Sequence, residues 1–156
     1  MDPDLRDKVV FITGAARGMG RTYVEGFLDD GAKVVATDVS WEPTGKSHDG
    51  APQFRKQLEA DPNCIVLDLD ITDDAQLDAA YDATIGAFGT LDVLINNGAK
   101  RMNTILDSGR IDTLDMEMRD FERMMDVNVN GVVKTIRKFA PVMISNHRGS
   151  IILVSG

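Results

Sequence analysis

Five short apolar runs, at residues 9–12, 33–38, 65–69, 91–96 and 150–155, are separated by stretches of helical period. That alternation is the pattern of a parallel sheet whose strands are joined by crossover helices and buried on both faces. Met19, Tyr23, Val24, Phe27 and Leu28 share one face of the first helical stretch, and Gly31 ends it as a C-cap. A polar stretch over 40–52 reads as a loop, followed by a short helix at about 53–60. Asp73-Asp74-Ala75-Gln76 opens the next helix with the spacing of a capping box, and Leu77, Tyr81, Ile85 and Phe88 continue its buried stripe. The longest helix is predicted from about residue 118 to 145. Its stripe is Phe121, Met125, Val132, Ile136, Phe139 and Met143, and Pro141 is expected to kink or weaken its last turns. Right-handed crossovers place strands two and three on one side of strand one, and four and five on the other. The expected fold is a doubly wound α/β sheet of order 3-2-1-4-5, with a ligand crevice where strands one and four diverge.

The 156 residues suit one domain, 1–156, and leave no room for a second. No apolar run reaches the length of a membrane-spanning helix, and the charged start, Met1 to Lys8, carries no secretory apolar region. A cytoplasmic location is the expectation. The net charge of −8, with Lys and Arg scattered, opposes nucleic acid and anionic membranes as partners. An anion bound here must therefore be held by local geometry. Cys64 lies in an apolar run and reads as a small buried thiol. His48 and His147 have no metal-like spacing to any Cys, Asp or Glu, so no metal site is expected.

Chemistry concentrates at the carboxyl ends of the strands. Thr13-Gly14-Ala15-Ala16-Arg17-Gly18-Met19-Gly20 joins strand one to its helix, where glycines permit a tight turn and the helix start offers free N–H groups to a pyrophosphate. Asp38 ends strand two, where a carboxylate can accept both ribose hydroxyls and repel a 2′-phosphate. NAD is favoured over NADP on that ground. Arg17 pulls the other way, because a basic residue in the glycine turn can pair with a 2′-phosphate.

Together these motifs resemble the amino-terminal part of the short-chain dehydrogenase/reductase family, whose fold is Rossmann-like. Asp70-Ile71-Thr72 after strand three, Asn96-Asn97-Gly98-Ala99 after strand four and Asn128-Val129-Asn130-Gly131 in the long helix extend the match. Gly149 to Ser155 at strand five completes it. The resemblance implies an oxidoreductase that interconverts alcohol and carbonyl with a nicotinamide dinucleotide. It gives Gly14, Arg17, Gly18, Met19 and Gly20 to the pyrophosphate, Asp70 and Ile71 to the adenine, and Asn96 with Gly98 to the neighbourhood of the cofactor ribose. Asp70 also reads simply as a helix-leading residue. The family has Ala-Gly where this chain has Gly98-Ala99, which places a different demand on the local backbone. Asn128 matches the family's catalytic asparagine, and a satisfied structural Asn is the competing reading. Ser155 takes the first serine position of the strand-five motif and Gly156 the second, usually catalytic, one.

The family's proton donor is a tyrosine followed four residues later by lysine. Here Tyr23 is followed at that spacing by Phe27 and Tyr81 by Ile85. The expectation is therefore a cofactor-binding part truncated after the fifth strand. A noncatalytic protein that binds NAD or pairs with a full-length relative is the alternative. The long helix and an exposed fifth strand are the expected surfaces for homo-oligomer contacts.

Overall fold

The computed structural model describes residues 4–43, 51–100, 114 and 116–155. His48 and Gly156, named above, lie outside them. Strands β1 (Val9–Thr13), β2 (Lys33–Asp38), β3 (Cys64–Asp68), β4 (Val93–Asn96) and β5 (Ser150–Leu153) alternate with helices α1 (Gly18–Asp29), α2 (Ala51–Glu59) and α3 (Asp74–Phe88). Between β4 and β5 run α4 (Met118–Met125), a π-helical segment (Asp126–Gly131) and α5 (Val132–Ser145). The sheet has the expected order, β3-β2-β1-β4-β5, and every pairing is parallel.

Side-chain alternation along the strands divides the core in two. Val10, Ile12, Val34, Ala36 and Ile95 meet Val24 of α1 and Phe54 and Leu58 of α2 on one face. Val9, Phe11, Val35 and Leu94 meet Leu77 of α3 and Phe139 and Met143 of α5 on the other. The rings of Phe11 and Phe139 pack tilted against each other with centroids 4.3 Å apart, so α5 is anchored on the central strand. Every residue of β1 is buried, which fixes the strand whose carboxyl end carries the glycine turn.

The cap chemistry at both ends follows the sequence. Gly31 N donates to Leu28 O and Ala32 N to Phe27 O, each at 2.9 Å, closing α1. Asp73 Oδ1 accepts from Ala75 N at 2.9 Å and Gln76 N at 3.1 Å, which opens α3. The Gln76 amide donates to Asp73 Oδ2 at 3.1 Å and accepts from Asp70 N at 2.8 Å, tying the helix start to the end of β3.

Two expectations need correction. The single long helix is interrupted at Asp126–Gly131, for tertiary reasons given below. α5 runs through Pro141 to Ser145, the end expected for the long helix, and buried Phe139 and Met143 hold its turns against the sheet. Met19 is 51% exposed, since it overhangs the sheet at the first turn of α1 instead of joining the stripe. Element ends also shift slightly. α2 begins at Ala51, with Pro52 in its first turn where a fixed φ and a missing N–H cost nothing.

Cys64 is buried as expected, and burial, aided by the charge of Asp61, pushes its thiol up to about 12. A raised folded-state pKa stabilises the fold below the unfolded value and loses that contribution as pH rises through the folded one. Stability is therefore expected to fall between the ordinary thiol pKa, about 8.5, and about 12. At pH 8 the native thiol should react with a disulfide reagent at least ~100-fold more slowly than the denatured chain. Rapid stoichiometric labelling of folded protein would contradict this.

Candidate functional site

The turn after β1 is built by contact between two backbones. Gly14 has φ +67°, and a Cβ there would lie 2.7 Å from Gly98 Cα. A Cβ on Gly20 would lie 2.0 Å from Gly14 O. Two side chains hold this approach. Thr13 Oγ1 accepts from Asn97 N at 3.1 Å and Gly98 N at 2.9 Å. The Asn97 amide donates to Thr13 O at 3.1 Å and Gly14 O at 3.0 Å. Neither residue had been singled out as a site position, although a Thr ending the strand and an Asn beside the second glycine motif were the available signals.

The Gly98-Ala99 exchange is resolved by the same contact. Among the described residues, positive φ is confined to Asp7, His147, Gly14, Gly18, Gly31 and Gly89, so neither position 98 nor 99 needs left-handed backbone. A Cβ at Gly98 would lie 3.2 Å from Gly14 N and Thr13 Oγ1, so glycine suits the close approach at position 98.

Asp38 ties β2 to the turn. Its Oδ2 accepts from Ala16 N at 3.0 Å and its Oδ1 from Ser40 N at 3.2 Å. Arg17 reaches across the same gap, donating to Ser40 O at 2.8 Å and to Glu42 O. Beyond this segment a cleft of about 440 Å³ opens toward α2, with Trp41, Arg55 and Asp68 in its walls. Arg55 spans that cleft to Asp68 Oδ1 at 2.7 Å, and this bond raises the guanidinium's pKa further.

At the end of β3, Asp70 Oδ1 accepts from both Thr72 N, at 2.9 Å, and Thr72 Oγ1, at 2.7 Å. Its Oδ2 takes no donor among the described residues. Ile71 is buried, and its Cγ1 lies 2.7 Å from where a Cβ of Gly131 would stand. Asn128 pairs with one residue twice: Oδ1 accepts from Lys100 N at 2.8 Å and Nδ2 donates to Lys100 O at 3.0 Å. These two contacts seat the π-helical segment against the chain beyond β3 and the chain beyond β4, which explains the interruption of the long helix.

Asn96 is 3% exposed, and neither its Oδ1 nor its Nδ2 has a hydrogen-bond partner among the described residues. Ser155 is exposed just past β5, next to Val154, whose N donates to Asn96 O at 2.9 Å. The fold thus gathers Gly14, Gly20 and Gly98, joins Arg17 to Asp38 through the Ser40 segment, and links Ile71 to the segment holding Asn128. No hydrogen bond joins Asn128 to Ser155 among the described residues.

Residues 8–156 match the family model described as short chain dehydrogenase. The chain belongs to that family. The chain is 47% identical over 152 residues to fluoren-9-ol dehydrogenase of Terrabacter sp. (strain DBF63), covering 97% of the chain and 41% of that protein. It is 37% identical over 155 residues to a 3-alpha-(or 20-beta)-hydroxysteroid dehydrogenase of Mycobacterium bovis, covering 99% and 54%. Its fold is similar to the crystal structure of the 3-ketoacyl-(acyl-carrier-protein) reductase from Brucella melitensis complexed with NADH. That likeness has a TM-score of 0.80 at 29% identity and covers 97% of this chain and 58% of that one. The chain spans about half the length of the curated relatives it matches. No helix among the described residues is long and apolar enough to cross a membrane.

Proposed function

We propose that this chain is the NAD(H)-binding part of an oxidoreductase that interconverts a secondary alcohol and its carbonyl. The observation that carries the reading is the junction of the glycine turn with Asp38. Ala16 N donates to Asp38 Oδ2 at 3.0 Å, so a turn suited to a pyrophosphate and a carboxylate suited to a ribose form one hydrogen-bonded unit. The residues fit the group. Gly14 and Gly20 are closed by protein, whereas a Cβ at Gly18, φ +53°, would meet nothing within 4 Å, which leaves that side of the turn open to a ligand.

When bound, the nicotinamide supplies the hydride. The chain's own residues bind and orient. The N–H groups of Gly18, Met19 and Gly20, in the first turn of α1, have no intrahelical acceptors and serve the pyrophosphate. Each Asp38 oxygen holds one backbone N–H and keeps a lone pair for a ribose hydroxyl, while its charge opposes a 2′-phosphate. Asp70 Oδ2, beside Ile71, is the acceptor for an adenine amino group. Asn96 brings an unpaired buried amide to the ribose region. Asn128 fixes the Lys100 backbone and keeps one amide hydrogen for solvent or a reacting group. Ser155 is the candidate hydroxyl at the strand ends. The relatives' names favour a ring-borne secondary alcohol, or its ketone, as substrate.

Exposed Met118, Met125, Val129 and Val133 along α4, the π-helical segment and α5, with Ile151, Ile152 and Leu153 on β5, support contact with more protein at those faces. Cytoplasmic placement belongs to the same reading.

NADH fluorescence titration tests it. NADH is expected to bind at least about tenfold more tightly than NADPH, the discrimination that one close carboxylate–phosphate repulsion supports. Equal affinities would overturn the assignment of Asp38, and no binding of either would overturn the cofactor reading.

A further inference from the structure

We infer that Arg17 is a specificity-determining residue for NAD that acts by positioning the Ser40–Glu42 backbone and not as a ligand for a cofactor phosphate. The inference rests on the NAD reading above and assigns a basic residue of the turn that would otherwise favour NADP. Arg17 donates to Ser40 O at 2.8 Å and to Glu42 O, two carbonyls on the segment that follows Asp38. The end of β2, which leads into that segment, is itself bonded to the turn and to Ser40. Ala15 N donates to Thr37 O at 2.9 Å, Ala16 N to Asp38 Oδ2 at 3.0 Å, and Ser40 N to Asp38 Oδ1 at 3.2 Å. Glu42 N closes the stretch on Ser40 Oγ at 3.2 Å.

A guanidinium can hold two carbonyls at once through its planar fork, whereas a lysine ammonium acts as a point charge. With Arg17 in place, Ser40 keeps its N–H on Asp38, and the carboxylate keeps the orientation that a ribose diol requires. A 2′-phosphate would have to draw Arg17 off both carbonyls while lying against Asp38. The arginine and the aspartate therefore select the same cofactor through one backbone segment.

The test uses the parent protein and the variants Arg17→Met, Arg17→Lys, Asp38→Ser and the double variant Arg17→Met with Asp38→Ser, titrated with NADH and NADPH. Thermal melts confirm that each remains folded. Arg17→Met is expected to weaken NADH about tenfold, and Arg17→Lys nearly as much, because a charge without the fork does not restore two bonds. In the Asp38→Ser background, adding Arg17→Met should leave NADPH affinity within about twofold, since no phosphate contact is removed. A tenfold or larger loss of NADPH in that background would make Arg17 a phosphate ligand and overturn the proposal. Unchanged NADH affinity in Arg17→Met, or full rescue by Arg17→Lys, would also overturn it. Failure of the parent to bind NADH would instead refute the cofactor reading, so the two failures are distinguishable.

Discussion

Gly20→Ala is expected to cost about 3 kcal/mol or more of stability, at the upper end of what overpacking a close contact does. It should also reduce NADH affinity at least ~100-fold, because displacing the turn removes the alignment of several N–H groups at once. The added Cβ would stand 2.0 Å from Gly14 O, 2.8 Å from Gly14 C and 2.7 Å from Asn97 Nδ2, so backbone must move. Relief by a flexible side chain is not available, since Asn97 is held by bonds to Thr13 O and Gly14 O. For a chain of this size, 3 kcal/mol corresponds to a melting shift of about 6–12 °C.

Two companion glycines separate packing from binding. At Gly18 the Cβ has open space, so Gly18→Ala should cost only about 1–2 kcal/mol for the left-handed backbone, φ +53°, while NADH affinity falls as far as in Gly20→Ala. Gly26, inside α1 with nothing within 4 Å, is the control, and Gly26→Ala should stabilise by about 0.5–1 kcal/mol. Thermal melts and NADH titration of the three variants check the set. If Gly18→Ala bound NADH like the parent, the turn would not be the pyrophosphate site. A Gly20→Ala protein as stable as the parent would show that the backbone contact yields cheaply.

The parts of this molecule that were readable in the sequence are those whose cause is local or periodic. Strand runs such as 9–12 and 33–38 are apolar because both sheet faces are covered, and strand order follows from crossover handedness. Asp73 caps α3 through residues two and three positions away, so its spacing alone carries the signal. The π-helical segment was not readable, because its causes are distant. Asn128 grips Lys100 across 28 residues, and Gly131 makes room for Ile71. Arg17 was legible as a charge in the turn but its destination was not, since Ser40 O and Glu42 O are backbone atoms that no residue type marks. For the same reason the sequence does not mark Asp92 as a structural acceptor: its partner is the Val9 backbone N–H, and only 7% of it is exposed.

Asp92→Ala is expected to cost about 3 kcal/mol, chiefly through one lost charge-assisted bond and one buried N–H left without an acceptor. Asp92 sits at the end of the sheet opposite the glycine turn, immediately before β4. Its N donates to Val9 O at 2.9 Å, and Ser150 N donates to its O at 2.9 Å. Its Oδ2 accepts from Val9 N at 3.0 Å, standing in for a ladder carbonyl where β4 has not yet begun. Oδ1 faces Arg148 Nε at 3.1 Å and Lys8 Nζ at 4.0 Å. Arg148 is 59% exposed, so solvent screens that pair and Arg148→Ala should cost well under 1 kcal/mol. Asp92→Asn keeps an oxygen for Val9 N and should cost about 1 kcal/mol, the difference between a charged and a neutral acceptor. Urea denaturation with an unchanged slope is the measurement, because the variants alter stability and not the surface exposed on unfolding. In the folded fraction NADH affinity should stay within about twofold of the parent, since distant independent sites behave additively. A variant Asp92→Ala as stable as Asp92→Asn would show that the Val9 amide finds another acceptor. A large loss of NADH affinity in folded Asp92→Ala would mean that the start of β4 sets the separation of Gly14 and Gly98 at its far end.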